Sequence, residues 1–419
     1  MTVVRLALLS LRNRWLTAFL AVLAIAASVA LLLGVEKLRT GARASFANTI
    51  AATDLIVGAR TGSIQLLLYT VFRIGDATNN ISWRSYQIIA ARPEVDWIVP
   101  MSLGDSHRGF RVLGTSRDYF DRYRFRRDRP LEFQAGGPFA DLFDAVIGAD
   151  VASALGYRLG DPMVVAHGLG EIEMAKHDDL PFRVAGILRK TGTPVDRTVH
   201  VSLAAIEAIH IGWESGRRDA ARTLSADEAA QLELQPRAVT AALVGLKSRL
   251  AVFRLQRFIN EYRGEPLTAI LPGVALQQLW SLVGTAETAL LAVSAMVVVT
   301  ALLGMVTMVL ATLNERRREI AILRSIGAGP RTVVGLMMAE AAILTIAGVL
   351  TGTAALYLVL LAIRPYIDRL YGLYLEIDPP GGHELIAIAV IIVAGCLAGL
   401  LPAWRAYRLS LADGMTVRR

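Results

Sequence analysis

Cysteine is almost absent: Cys396 is the one cysteine in 419 residues, and it lies in an apolar run. No disulfide and no cysteine-based metal cluster can therefore form within one chain. This leaves an oxidising compartment open, because a domain above ~200 residues builds a core without disulfides. The phosphate-cradling pattern G-x-x-x-x-G-K-[ST] is missing; Gly245-Leu246-Lys247-Ser248 keeps the Lys-Ser pair without the glycine loop. H-E-x-x-H and G-x-S-x-G are missing too. No catalytic residue is assigned on these grounds, no cofactor is expected on the chain, and an enzyme with its own active site is disfavoured.

What is present is hydrophobic. The mean hydropathy is +0.47 and 54% of residues are apolar, a balance that suits a membrane part joined to a water-soluble part. Arg5, Arg12 and Arg14 precede an uncharged run over 15–35. That run is longer than the ~7–15 residues of a signal-peptide core, and Leu31-Leu32-Leu33-Gly34-Val35 is a poor cleavage site, so an uncleaved signal anchor is expected. Further apolar runs cover 288–314, 341–363 and 385–404. Each meets the ~20 residues needed to cross a bilayer, and the excess in the second fits a helical stalk or a tilt.

Arginine placement orients the spans. Segment 1–14 holds three arginines and no acid; 315–331 holds Arg316, Arg317, Arg318, Arg324 and Arg331 against two acids. The tail holds Arg405, Arg408, Arg418 and Arg419 against Asp413, whereas 364–384 is acidic. The expected order is therefore a cytoplasmic N-terminal helix and first span (1–35), an extracytoplasmic domain with stalk (36–287), a second span (288–314), a cytoplasmic loop (315–331), a third span (332–363), an outer loop (364–384), a fourth span (385–404) and a cytoplasmic tail (405–419). The fold class expected is a four-helix membrane protein with a large α+β extracytoplasmic domain inserted between helices 1 and 2. Both termini face the cytoplasm of an inner-membrane, multi-pass protein. The net charge of +8 is largely placed at the inner membrane face, so the bilayer, and no nucleic acid, is the partner it implies. Gly348 and Gly352, then Gly395 and Gly399, put small residues four apart in the third and fourth spans. Such spacing suits close helix packing within one chain, or a subunit interface.

The outer domain mixes strands and helices. Strands are expected at 145–148, 162–166, 182–188, 199–201 and 241–246, with helices over 150–159 (closed at Gly160), from Ser202, and over 248–262. The polar stretch 217–236 reads as a surface helix or insertion. Ile64, Leu67, Leu68, Val71 and Phe72 form a helical apolar stripe too short to span. It reads either as a helix packed on the domain core or as a surface for substrate or the outer leaflet. His167, Glu171, Glu173, His177, Asp178 and Asp179 could suit a zinc-like ion by residue type, but match no ligand spacing. An acidic hairpin without metal is the preferred reading. Glu340 reads as a helix N-terminal acid rather than a proton relay.

The segment from Asn314 to Ala328 (NERRREIAILRSIGA) can form a short helix over 319–326, ended by Gly327, with Ile322, Leu323 and Ile326 on one edge. That edge is too small to be a core, so it needs either a partner or the lipid headgroups. This segment, with Glu340, Gly348 and Gly352 after it, resembles the FtsX-like permeases of ABC transporters, the MacB, LolC/LolE and FtsX group. Val146-Ile147-Gly148-Ala149-Asp150 through Leu159-Gly160-Asp161 resembles that group's outer-domain pattern. Leu6–Leu20 resembles its amphipathic lead-in to the first span, and Leu401-Pro402-Ala403-Trp404-Arg405-Ala406 its closing segment.

The resemblance implies a permease subunit that couples ATP hydrolysis on a separate ATPase, present in two copies with its own ATP and magnesium, to movement of the outer domain. The work done would be efflux, extraction, or transport of lipoprotein or peptide-type cargo. It implies a second permease chain, with a homodimer as the simplest pairing, and room for a periplasmic or outer-membrane partner. The ATPase-coupling positions it carries over are Arg318, Glu319, Ile322, Leu323, Ser325, Ile326, Gly327 and Ala328. A mechanotransmitting regulator of a cell-envelope enzyme, with no transport, is the alternative within the same group.

Overall fold

The computed structural model describes residues 2–126, 128–167, 175–176, 180–211, 228–229, 231–232, 234–315, 322, 325, 327–371 and 377–408. The chain divides into two compact units, one of 1–41, 284–365 and 376–419, the other of 42–283 and 366–375.

Among the described residues of the chain, four helices are long and apolar enough to cross a membrane: Trp15–Phe46, Pro272–Thr312, Pro330–Tyr366 and Gly382–Tyr407. The helices run beyond the apolar stretches. Trp15–Thr49 has 35 residues and Pro272–Glu315 has 44, so at ~1.5 Å per residue each exceeds the ~30 Å of hydrocarbon. The excess is polar in the first (Glu36–Thr49) and mixed in the second. A separate amphipathic helix, Thr2–Asn13, precedes them. Glu340 lies well inside the helix Pro330–Tyr371, not at its start. The helix-dipole argument for it therefore fails, since that effect fades beyond the first turn; the residue is buried instead.

The glycines of the third and fourth spans pack inside this unit. A Cβ at Gly348 would stand 2.5 Å from Ile25 Cγ2, and one at Gly352 2.5 Å from the Ala26 carbonyl oxygen. The third span thus meets the backbone of the first directly at Gly352, while at Gly348 it seats the Ile25 side chain. Gly395 meets the Thr345 side chain, and a Cβ at Gly399 would lie 2.6 Å from Ala341 Cβ, joining the fourth span to the third. In lipid, such close approach supplies the dispersion contact that the hydrophobic effect does not.

The second unit is built on one mixed sheet. In spatial order its main strands are Leu267–Ile270, Leu55–Ala59, Ala241–Leu246, Val95–His107, Phe110–Thr115, Thr198–Ser202, Asp144–Ile147, Phe182–Leu188 and Phe133–Gly136. Phe110–Thr115 with Thr198–Ser202, and Asp144–Ile147 with Phe182–Leu188, are parallel; the other neighbours are antiparallel. Three apolar clusters cover the sheet. Ser202 caps the helix Leu203–His210 by accepting from Ala205 N at 3.0 Å. The helix after 248 starts as a 3-10 turn and runs over Val252–Asn260. The expected strand at 162–166 is broken into Pro162–Met163 and Ala166–His167, and the helix expected over 150–159 is Ala149–Leu155. Gly156, at φ 72°, closes that helix in place of Gly160.

Two glycines of the outer-domain pattern have identifiable jobs. A Cβ at Gly148 would collide with the carbonyls of Val195 and Asp196. Gly160, at φ 88°, turns the chain so that its N–H meets Val184 O at 2.8 Å while Val184 N–H meets Asp161 O at 3.0 Å. The turn after the parallel strand is held by Asp196, whose carboxylate accepts from Thr191 N (2.8 Å), Thr191 Oγ1 (2.8 Å) and Gly192 N (2.6 Å). Burial nevertheless raises Asp196 to about 6, outweighing those three donors.

Candidate functional site: the bundle end beside residues 315–331

At the arginine-rich end of the bundle, four elements converge. Ala7 of the first helix, Val309 near the end of the second span, Val333, Leu336 and Met337 at the start of the third, and Ala403 and Ala406 of the closing helix form one buried cluster. Each element reaches it for a local reason. Ala7 is the small residue on the inner face of an amphipathic helix whose other face carries Val4, Leu8 and Leu9 exposed. Ala403 and Ala406 stand three apart on the helix Leu400–Arg408 and are 1% and 0% exposed, so the closing P-A-x-x-A pattern is a packing face. Arg14 Nη1 adds a hydrogen bond to Thr312 O at 3.3 Å, tying the break before the first span to the end of the second. The helix ends that bracket the 315–331 segment are thus anchored to both termini of this unit.

Of the expected coupling positions, Ile322, Ser325, Gly327 and Ala328 are described. Ile322 is 52% exposed, and Ser325 Oγ donates to Ile322 O at 2.8 Å. Gly327 takes φ 102°, a backbone that side chains disfavour, which suits a chain reversal before Pro330. Arg318, Glu319, Leu323 and Ile326 lie outside the described residues, as do the arginines at 316, 317 and 324.

At the other end of the same bundle a polar clamp joins three elements. Lys37 Nζ donates to Asp378 O at 2.8 Å and pairs with Glu384 Oε1 at 3.3 Å. Glu384 also accepts from Gly381 N at 3.2 Å. Tyr357 OH donates to Asp378 O at 2.9 Å, and Lys37 Nζ sits 5.6 Å from the Tyr357 ring centroid. Both charged residues are nearly buried, so removing one partner alone would strand the other. Sequence reasoning passed over this clamp because Lys37 and Glu384 are 347 positions apart and each looks like an ordinary flanking charge.

The apolar stripe at 64–72 lies as a helix packed on the domain core would. Leu67, Val71 and Phe72 are buried in the core of the α+β unit and Ile64 and Leu68 are half-buried, beside Leu66 and Tyr69. They belong to the apolar cluster that covers the sheet. Of the His/acid segment, Glu171, Glu173, His177, Asp178 and Asp179 lie outside the described residues; among those described, no group of three His, Cys, Asp or Glu is placed to hold a metal ion.

Comparison with known proteins decides the family. A family model for the MacB-like periplasmic core domain matches residues 18–245, and one for the FtsX-like permease C-terminal region matches 291–411. The chain belongs to the FtsX/MacB-like ABC transporter permeases. A curated relative, an uncharacterized ABC transporter permease protein of Mycobacterium tuberculosis, is 28% identical over 114 residues, 27% of this permease and 13% of that protein. The match thus spans about an eighth of the relative's length. Solved structures similar to this permease include the periplasmic region of MacB from Actinobacillus actinomycetemcomitans, at 11% identity and TM-score 0.35, covering 55% of this chain and 94% of that one. Another is the extracellular domain of the noncanonic ABC-type transporter YknZ from Gram-positive bacteria, at 12% identity and TM-score 0.31, covering 52% and 99%. The permease is a multi-pass membrane protein with a MacB-like α+β domain.

Proposed function

We propose that this chain is the membrane subunit of an ABC complex in which a separate ATPase, in two copies, drives movement of an outer domain inserted between the first and second spans. The ATPase engages the 315–328 segment, with Arg318, Glu319, Ile322, Leu323, Ser325, Ile326, Gly327 and Ala328 as its contacts. A second permease chain completes the complex, most simply a second copy. The observation that supports this reading is the shared cluster at the bundle end, where Ala7, Val309, Met337 and Ala403 pack together. Force applied to the segment between the second and third spans would act on the second, third and fourth spans and on the helix that precedes the first, since interiors packed this densely transmit strain. The polar clamp around Lys37 would keep the far ends of the first, third and fourth spans in step. The cargo class is efflux, extraction or lipoprotein/peptide-type transport.

The reading requires the 315–331 segment to face the cytoplasm, where the ATPase is. Reporter fusions at residues 220 and 372 should report outside the inner membrane, and fusions at 322 and 415 inside. An inside signal at 220 would overturn the architecture.

A further inference from the structure

Two stretches of the α+β unit bring their basic side chains to one hollow. Its volume is about 340 Å³, within the ~300–1,000 Å³ of small-molecule sites. The short hairpin that pairs Arg124–Phe125 with Arg129–Pro130 lines it with Phe125, Arg129 and Pro130. The loop after the strand Phe182–Leu188 contributes Arg189, Lys190 and the buried Thr191. Glu132 is the one acid in this lining. Arg129 is exposed, and its side chain makes no hydrogen bond or ion pair among the described residues. The guanidinium of Arg189 pairs with Glu132 Oε2 at 3.0 Å, but the two side chains are 67% and 58% exposed. Such a pair is worth little and exchanges readily for a better partner. Lys190 Nζ donates to Asp150 Oδ1 at 3.0 Å. The backbone that carries the two loop cations is fixed on both sides. Arg189 N–H donates to Glu132 O at 2.8 Å, and Asp196 accepts from Thr191 N at 2.8 Å and Gly192 N at 2.6 Å. This loop is set before a ligand arrives, which lowers the cost of binding.

We propose that this hollow is a binding site for a small organic phosphate. Arg129, Arg189 and Lys190 against Glu132 alone leave the lining with excess positive charge. Guanidinium forks match the oxygens of a phosphate group, and an ammonium adds a point charge. The volume holds about ten water molecules at ~30 Å³ each, more than a bare phosphate ion needs. Phe125 and Pro130 offer the remainder an apolar wall for a short carbon body. Arg129 and Arg189 take the phosphate, Arg189 exchanging Glu132 for it. A free phosphate ester and the headgroup of a phospholipid share this chemistry.

The test is calorimetric titration of the full-length chain in a nonionic detergent at pH 7. The probes are glycerol 3-phosphate and, separately, a short-chain phosphatidylglycerol below its micelle concentration, with glycerol as the neutral control. At least one phosphate probe should give a saturable heat, and glycerol none. Saturation by glycerol 3-phosphate assigns a free ester; saturation by the lipid alone assigns a headgroup. Arg129→Gln should weaken the binding about tenfold or more, the loss of a hydrogen bond between charges. Arg257→Gln changes an exposed arginine outside this lining and should leave the affinity as it is. The site is overturned if neither phosphate probe saturates, if Arg129→Gln binds like the wild type, or if Arg257→Gln weakens binding equally. If Arg129→Gln does not fold, Arg189→Gln takes its place with the same expectation, and unchanged affinity there overturns the site.

Discussion

Replacing Leu323 and Ile326 together with aspartate is expected to release the ATPase while the spans and the outer domain stay folded. Among the described residues, the bundle-end cluster is built from Ala7, Val309, Val333, Leu336, Met337, Ala403 and Ala406. If the apolar edge of the 319–326 segment is buried only against the ATPase, each aspartate puts an unpaired carboxylate into the interface, at a cost of several kcal/mol. At ~1.4 kcal/mol per decade, affinity should fall by ~10² or more. Co-purification of tagged ATPase with the variant from membranes measures this. Wild-type yield would place the segment flat on the lipid headgroups and remove it from the coupling path.

Gly352→Leu should unfold the span bundle rather than weaken pairing between chains. A Cβ there would lie 2.5 Å from the Ala26 carbonyl oxygen and 2.9 Å from Ala26 Cα. These are backbone atoms of the first span and cannot turn aside as a side-chain tip would. Overpacking typically costs ~1–3 kcal/mol when side chains can adjust, so displacing a helix backbone should cost at least the upper end. Gly284→Leu is the matched control, because a Cβ at Gly284 meets nothing within 4 Å. Thermal loss of monodispersity in detergent should drop by many degrees for the first variant and stay near wild type for the second. Equal stability of the two would mean that the third and first spans do not pack through Gly352.

The parts of the fold legible in the sequence are those with one dominant cause. Phe182–Leu188 and Ala241–Leu246 read as strands because they are short apolar runs between turn residues, and both appear with the expected bounds. The long strand Val95–His107 was not legible. It contains Pro100, Asp105, Ser106 and His107, polar or strand-breaking types, and the last three are buried. His107 is accommodated by distant partners, among them Val164 O at 2.6 Å and Tyr157 OH at 3.0 Å, which periodicity cannot reveal. The stripe at 64–72 shows the converse limit: helical spacing identifies an apolar face but not what covers it, and here the covering is the domain's own sheet. At the candidate site, the arginine-rich motif was legible from composition. The bundle-end cluster and the Lys37–Glu384 clamp were not, because each joins residues hundreds of positions apart through alanines or single charges that carry no local signal.

The central claim is that nucleotide on the ATPase moves the outer domain through this chain. It is tested most directly by spin labels at Ser153, exposed on the helix Ala149–Leu155, and at His383, exposed at the start of the fourth span. Both are introduced as cysteines in a Cys396→Ala background, and the labelled chain is diluted into unlabelled complex reconstituted with its ATPase. The account predicts that the distance distribution between the two labels shifts when ATP is bound, and that the shift is lost when Leu323 and Ile326 are aspartate. An unchanged distribution in a complex that is hydrolysing ATP would contradict it.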